Sequence, residues 1–420
     1  MDTIFEVYQL IENNQPKKAL KLLESYYDKA NDDEKFTIAQ IYMDLGDLFK
    51  ASSIIEDLLK KYPNENELKI ALTDIYIELE QDEIAINILM EINEEDPYYI
   101  EALIQLADLY QAQGLFEVAE QKLKEAKNRE PNEEIIDFAL GELYFSIGEY
   151  KHAIMYYENI FPKTEKIANV SLYDRLGEAY SATGEYEKAL HFYKEDNDDP
   201  EKLFRYGMTA YQADRNDIAT KVWEHVLELD PYYHTAYLYL AKAYEANGRI
   251  EEAYKIAQKG IEKDEFNKEL YFLTGTLAHK IGHNIESEKL MRMAIHLDSD
   301  YKQAVLYLIQ FYKEEENYES VIELLNEIKS SGADDPLYDW ELARAYVETE
   351  SYVDALNYYK EAYNNLNQDS EFVKEYGYFL VEEGRRKEAI PVFKHYLTLE
   401  PLDGEVEEFL ARIKQSGEDV

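Results

Sequence analysis

His279 and His283 stand four residues apart, the spacing at which two imidazoles on one helix can share a metal ion. Gly282 lies between them and Lys280, not glutamate, follows the first, so no HExxH arrangement is present. A helix ending at that glycine would leave His283 outside it, and the pair reads as solvent- or groove-lining histidine. Five of the eight histidines (His225, His234, His279, His283 and His296) fall within residues 201–300, where protonation near an ordinary pKa of about 6.5 would add positive charge. Scattered surface histidines account for that better. Paired carboxylates carry no signal in a chain with 88 acids, and without cysteine there is no thiolate ligand, nucleophile or disulfide. No catalytic residue, metal site or cofactor is expected.

The elements that would position any such group come from a ruler in the sequence. Small residues recur at Ala19, Ala51, Ala85, Ala119, Ala153, Ala189, Ala219, Ala253, Ser287, Val321, Ala355 and Ala389, mostly 34 apart. A period of that length is the mark of a repeat array, in which each unit buries its apolar face only against its neighbours. Twelve positions before the anchor stand small residues such as Ala39, Ala107, Gly141, Gly207 and Gly377. Nine before it, tyrosine recurs from Tyr42 to Tyr346, and five before it glycine appears in seven units. Four after the anchor come large apolar groups such as Leu23, Tyr157, Trp223 and Phe393, and twelve after it Pro63, Pro97, Pro131, Pro231 and Pro401. This is one helix, a turn made by a left-handed glycine, a second helix and a proline stop. Twelve of the sixteen glycines fall at two of these offsets, so no glycine-rich phosphate loop remains.

Those residues, in units such as Leu106 to Pro131 and Leu176 to Tyr193, resemble the tetratricopeptide repeat family, and the resemblance covers residues 1 to about 401. It implies an all-α, right-handed solenoid of about twelve helix pairs, with a concave groove lined mainly by the first helix of each pair. Val406, Phe409, Leu410 and Ile413 share one stripe behind a candidate N-cap, Asp403, and form a capping helix. The expected organisation is a six-repeat array over 1–199, a second over 200–401, and the capping helix with a frayed tail over 402–420. The step from Ala189 to Ala219 is only 30 residues, which places a bend near 196–200; the 36-residue step before it contains Phe161, Pro162 and Lys163. Ser287 and Val321 in place of alanine should loosen packing locally.

A formal charge of −44 argues against nucleic acid, and no apolar run approaches the roughly 18 residues of a spanning helix. With no basic segment leading a hydrophobic stretch at the amino terminus, a cytoplasmic protein is expected. Charge is uneven: residues 201–300 carry 17 acids and 13 bases and are nearly neutral. The heavy use of Ile, Asn, Lys and Tyr resembles proteins of AT-rich bacterial genomes.

The family resemblance implies that positions eleven and fifteen before each anchor face the groove. Eleven before, repeats three to six carry Asp74, Asp108, Glu142 and Glu178; fifteen before, Ile70, Ile104 and Phe138 run alongside. An acidic line beside an apolar one suits a basic, amphipathic or extended segment of another protein. Trp340, with Arg344 one turn on, is a second candidate anchor. The lysine, arginine and asparagine set with which this family grips a terminal carboxylate is missing from the first units, which begin Ile4, Tyr8, Phe36, Gln40. The expected function is a non-catalytic scaffold or adaptor. The alternative is a regulatory switch whose superhelical curvature changes on binding a peptide or partner.

Overall fold

A computed structural model describes residues 2–193, 198–333 and 335–416 and contains 25 α-helices among them. They form twelve antiparallel pairs and a final helix. Repeats one to six pair Asp2–Glu12 with Pro16–Tyr26, Asp32–Asp44 with Leu48–Lys61, Asn66–Glu78 with Asp82–Met90, Tyr99–Ala112 with Phe116–Arg129, Glu134–Ser146 with Tyr150–Ile160, and Leu172–Ala182 with Tyr186–Phe192. Repeats seven to nine pair Pro200–Gln212 with Asn216–Leu229, His234–Ala246 with Ile250–Lys263, and Lys268–Lys280 with Asn284–Leu297. Repeats ten to twelve pair Lys302–Glu314 with Tyr318–Ser330, Pro336–Glu348 with Tyr352–Leu366, and Ser370–Glu382 with Arg386–Leu399. The chain divides into two compact units, Met1–Glu195 and Asp196–Val420. The fold is the all-α solenoid of helix pairs. The bend placed at 196–200 falls partly, and the tail from 417 wholly, outside the described residues.

The anchors mark where the two helices of a repeat touch, and every one of the twelve is buried. Close approach depends on the residue twelve before the anchor and the one four after it. A Cβ added to Gly207 would come within 2.3 Å of Trp223 Nε1, and one added to Gly141 within 2.5 Å of Tyr157 Cε1. Where the earlier position is alanine, as at Ala39 and Ala107, the facing residue shrinks to Ile55 or Leu123. In these four repeats a smaller residue on one side meets a larger one on the other; Ala343 with Tyr359 and Ala241 with Ala257 show that the compensation is not uniform along the array.

Substitution of the anchors has two different outcomes. Ser287 is buried and donates a 2.7 Å hydrogen bond to the Gly275 carbonyl, so the repeat-nine helices stay in close contact. In repeat ten two β-branched residues, Ile309 and Val321, face each other, and that pair of helices packs less closely. The expected loosening therefore appears at Val321 and not at Ser287.

Five before the anchor, all twelve residues have positive φ, although only seven are glycine. Asn14 (57°), Glu80 (58°), Asp214 (58°), Glu316 (55°) and Glu350 (56°) take the same left-handed turn as Gly148 (78°). Each is followed by an amide that reaches back to a carbonyl of the preceding helix, as Gln81 does to Tyr76 and Glu149 to Tyr144. Tertiary packing thus imposes the conformation that glycine adopts at no steric cost.

Successive repeats are tied by the recurrent tyrosine. Tyr76, Tyr180 and Tyr312 donate to Glu56, Glu158 and Glu288 of the preceding second helix at 2.7, 2.5 and 2.5 Å, and Tyr144 and Tyr244 donate likewise to Glu120 and Glu224. The long step before Ala189 holds a feature the periodicity did not suggest. It is a two-stranded antiparallel hairpin, β1 (Lys166–Ile167) and β2 (Val170–Ser171), whose turn residues Ala168 and Asn169 both have positive φ.

The final helix, Gly404–Ser416, buries Val406, Leu410 and Ile413 against repeat twelve. Asp403 caps it, accepting from the Val406 amide at 3.2 Å, from Lys374 Nζ at 2.7 Å and from Tyr396 at 2.7 Å. Lys374, Tyr396 and that amide hold the carboxyl down to about 2.

Because its folded pKa lies below the ordinary 3.8, the contribution of Asp403 is complete above that value and lost as pH falls toward about 2. Hydrogen-exchange protection factors across 404–416 are expected to stay high at pH 5 and to fall below pH 4, and Asp403→Asn should show the lowered protection already at pH 7. The two kinds of glycine should also separate. Gly148→Ala and Gly207→Ala both lower stability to urea by on the order of 1 kcal/mol or more, but Trp223→Leu rescues only the second. Glu80→Gly and Glu316→Gly should each raise stability by about 0.5–1 kcal/mol.

A candidate partner-binding surface

The residue eleven before an anchor meets, on the next first helix, the residue fourteen before the following anchor. Gln105 Nε2 donates to Asp74 Oδ1 at 2.8 Å. Arg175 binds Glu142 through both carboxylate oxygens, Nε to Oε1 at 2.7 Å and Nη2 to Oε2 at 2.8 Å. The Tyr157 hydroxyl, four after the anchor, adds a 2.5 Å hydrogen bond to the same Glu142 oxygen. In repeats eleven and twelve the charges exchange places. Arg344 grips Glu375, with Nε 3.0 Å from each oxygen, and Tyr359 donates to that carboxylate at 2.8 Å. One backbone geometry therefore serves an acid facing a base and a base facing an acid.

This contact separates the acidic line into two kinds of residue. Glu142 is neutralised by Arg175, whose Nη1 also lies 3.9 Å from Glu178. Asp74 meets only a neutral amide. Burial and the neighbouring Glu101 push its carboxyl up, against the opposing hydrogen bond from Gln105. Asp108 faces Ala139 across the same inter-helix contact and has no hydrogen bond or ion pair among the described residues; the surrounding protein alone pushes its carboxyl up. Its side chain still reaches solvent, in a hollow of about 480 Å³ lined with Gln111, Ala112, Phe116 and Ser146. Gln111 and Ser146 hydrogen-bond each other at 3.2 Å, and Phe116 is exposed.

The apolar line is placed differently. Ile70 and Phe138 are core residues, 6% and 7% exposed, and Ile104 is half-buried. As the fold stands, they hold the helices together and leave little side chain to offer a partner. Trp340 is likewise buried, with the Arg344 guanidinium 3.9 Å above its ring and its indole nitrogen donating to Glu375 Oε1 at 2.8 Å. Burial works against the Glu375 charge, yet Arg344, Trp340 and Tyr359 together hold its carboxyl below the usual range. Trp340 and Arg344 are thus brought together as expected, but their polar groups are already satisfied within the chain. Arg175, Glu375 and Gln105 were missed in the sequence because their offset, fourteen before the anchor, carries no shared residue type. A search for opposite charges 31 to 33 residues apart would have found two of them.

His279 lies within the repeat-nine first helix, whereas His283 follows Gly282 and precedes the second. The two do not share a helix face. Among the described residues no helix is long and apolar enough to cross a membrane, and no cluster of three or more metal-ligating side chains occurs.

The TPR repeat-containing protein YpiA of Bacillus subtilis (strain 168) is 42% identical to this chain over 418 residues, 99% of each. The chain belongs to the YpiA-like tetratricopeptide repeat family. Models described as YpiA-like tetratricopeptide repeats match residues 111–164 and, for the C-terminal repeats, 336–403; general tetratricopeptide models match 205–268 and 172–199. Among solved structures the chain is similar to YrrB, a TPR protein with an unusual peptide-binding site, at 15% identity and a TM-score of 0.38, over 44% of this chain and 96% of that one. It is also similar to the APC/C hetero-tetramer Cut9–Hcn1, at 12% identity and a TM-score of 0.32, over 97% and 95%. In the YpiA-like chain described here, Asp108 and Asp74 differ from Glu142 in having no cation opposite.

A carboxylate whose folded pKa is raised costs stability once pH exceeds the ordinary 3.8, and the cost is complete above the raised value. Asp74→Asn and Asp108→Asn are therefore expected to raise the melting temperature at pH 7 by on the order of 1 °C and to match the parent below pH 4. Glu142→Gln, which strands Arg175, should lower it at pH 7.

Proposed function

We propose that the protein is a cytoplasmic, non-catalytic scaffold that holds a basic segment of another protein on the first helices of repeats three and four. The observation that carries this reading is Asp108, an uncompensated carboxylate beside exposed Phe116 in an open hollow. A carboxylate in such surroundings gains more from an incoming cation than one in bulk water. Asp108 is itself exposed, so water screens the attraction, which at 4 Å lies between about 1 kcal/mol, as in bulk water, and roughly 4 kcal/mol at an effective dielectric of 20. Phe116 supplies the apolar contact, and a lysine or arginine flanked by an aliphatic residue matches the pair. Membership in a tetratricopeptide repeat family supports protein binding in general, while the acidic residues choose its sign. Glu142 and Glu178 contribute less, because Arg175 already pairs with the first and lies 3.9 Å from the second.

The reading is tested with a fluorescently labelled, lysine- and leucine-rich amphipathic peptide, followed by anisotropy at low ionic strength. Asp74→Asn combined with Asp108→Asn is expected to weaken binding about tenfold and to reduce its salt dependence. Glu319→Gln with Glu323→Gln removes as much charge elsewhere and should change nothing. Equal losses in the two variants would mean that net charge, and not this surface, attracts the peptide.

A further inference from the structure

The first helices of repeats two to four form a face without a cation. On each, the residues eighteen, fourteen, eleven and seven before the anchor are spaced four, three and four apart and lie on one side of the helix. Those twelve positions hold seven acids and no base: Asp33, Glu67 and Glu101 at the first offset, Asp74 and Asp108 at the third, Asp44 and Glu78 at the last. The equivalent positions of repeats five to twelve hold ten acids and five bases. Repeat twelve has three of those acids and no base of its own, but Arg344 of repeat eleven lies against two of them, Glu371 and Glu375. In repeats two to four the only basic residues of the first helices turn elsewhere, Lys35 to the Tyr27 ring and Lys69 to Glu91. None of the seven acids has an ion pair among the described residues, and all but Asp74 are exposed.

Between the rows eighteen and eleven before the anchor run Thr37, Ala71 and Gln105, each half-buried. Seven residues separate those rows by about 10 Å along the helix, so these three side chains floor a channel with acids on both banks. Consecutive first helices touch at the floor, where Gln105 Nε2 donates to Asp74, and helices in contact lie about 8–10 Å apart. Gln105 Oε1 is buried and accepts no hydrogen bond among the described residues, so this contact lacks a donor as well as a cation. The channel offers no seat to an amphipathic helix, because Ile70 is turned into the core and Ile104 is half-buried.

We infer that this channel takes an extended, basic segment of a partner protein in polyproline II conformation, with a lysine or arginine at every third residue. The inference rests on the reading that repeats three and four hold a basic segment, and adds to it repeat two, a conformation and a spacing. Polyproline II has three residues per turn and rises about 3.1 Å per residue. Every third side chain therefore points the same way about 9.3 Å further on, close to one step between first helices. A β-strand returns to the same side after about 6.6 Å and falls out of step. In register, one cation meets Glu101 and Asp108, the next Glu67 and Asp74, and the third Asp33. Charge complementarity selects the occupant, since the face has no base to receive an acidic one. Each exposed pair is weak on its own because water screens it, so affinity depends on making several at once.

The test uses the full chain and three labelled 18-residue peptides of one composition, rich in proline and alanine, with five lysines placed two, three or four residues apart. Binding is followed by anisotropy at low ionic strength. The peptide with lysines three apart is expected to bind about fivefold more tightly than the other two. Glu67→Gln with Glu101→Gln should remove most of that preference, whereas Glu319→Gln with Glu323→Gln should leave it unchanged. The altered side chains of the channel variant are exposed, and circular dichroism and thermal melting check that it is folded. Equal affinity for the three spacings, with Asp74→Asn and Asp108→Asn still weakening all of them, overturns the channel and leaves the basic-segment reading standing. Absence of binding, or binding that ignores Asp74 and Asp108, overturns both. A preference that survives Glu67→Gln with Glu101→Gln places the peptide elsewhere and overturns the inference. Tighter binding of a helical peptide with lysines seven apart, which keeps nearly the same step, assigns the surface to a helix and likewise overturns it.

Discussion

The fold depends on how closely the two helices of a repeat can approach at the anchor. Three positions meet at that approach: the anchor, the residue twelve before it and the residue four after it. Gly207 leaves room for Trp223 and Gly377 for Phe393, while Ala107 meets the smaller Leu123. Since each contact is internal to one repeat, the array tolerates variation in size at these positions, from Ala241 with Ala257 to Ala343 with Tyr359. In repeat ten, with β-branched Ile309 and Val321 at two of these positions and Leu325 at the third, the helices pack less closely. The left-handed residue at every turn follows from the same approach, because a chain reversing between closely packed helices has few residues in which to turn. Five non-glycine residues accept an unfavourable conformation there.

Contacts between repeats obey a looser rule. The position facing the next first helix tolerates Glu142 against Arg175, Arg344 against Glu375, and Asp74 against Gln105. Net charge across the pair is zero in the first two cases and negative in the third. A bidentate arginine pair locks register between repeats but withdraws both charges from any ligand. An unpaired acid does the reverse, reducing stability while keeping its field available.

The repeat boundaries, the turn glycines, the proline stops and the capping helix behind Asp403 were legible because each rests on one residue type at a fixed offset. The hairpin at 166–171 was not, since Ala168 and Asn169 form its turn without glycine and its strands are two residues long. The acidic line was visible as a row, but its division into paired and unpaired acids was hidden. That division depends on residues such as Arg175 and Ala139 in the following repeat, where no shared residue type draws attention. The apolar line was legible as apolar and silent about direction: residues fifteen before the anchor lie on the flank of the first helix, where a side chain can turn toward the core, as Phe138 does, or remain half-exposed like Ile104.

A repeat protein can acquire a specific surface only by breaking its own periodicity, because a feature shared by all twelve units would bind at twelve places. Two places in the chain are such breaks. At Asp108 the alternation of charge fails, since the following repeat supplies Ala139 where another supplies Arg175. At Val321 the alanine anchor fails, and the helices of repeat ten pack less closely. The first break costs electrostatic stability and the second costs packing. Surfaces at which a stable fold gives up stability locally are the ones where a partner has most to gain by restoring it.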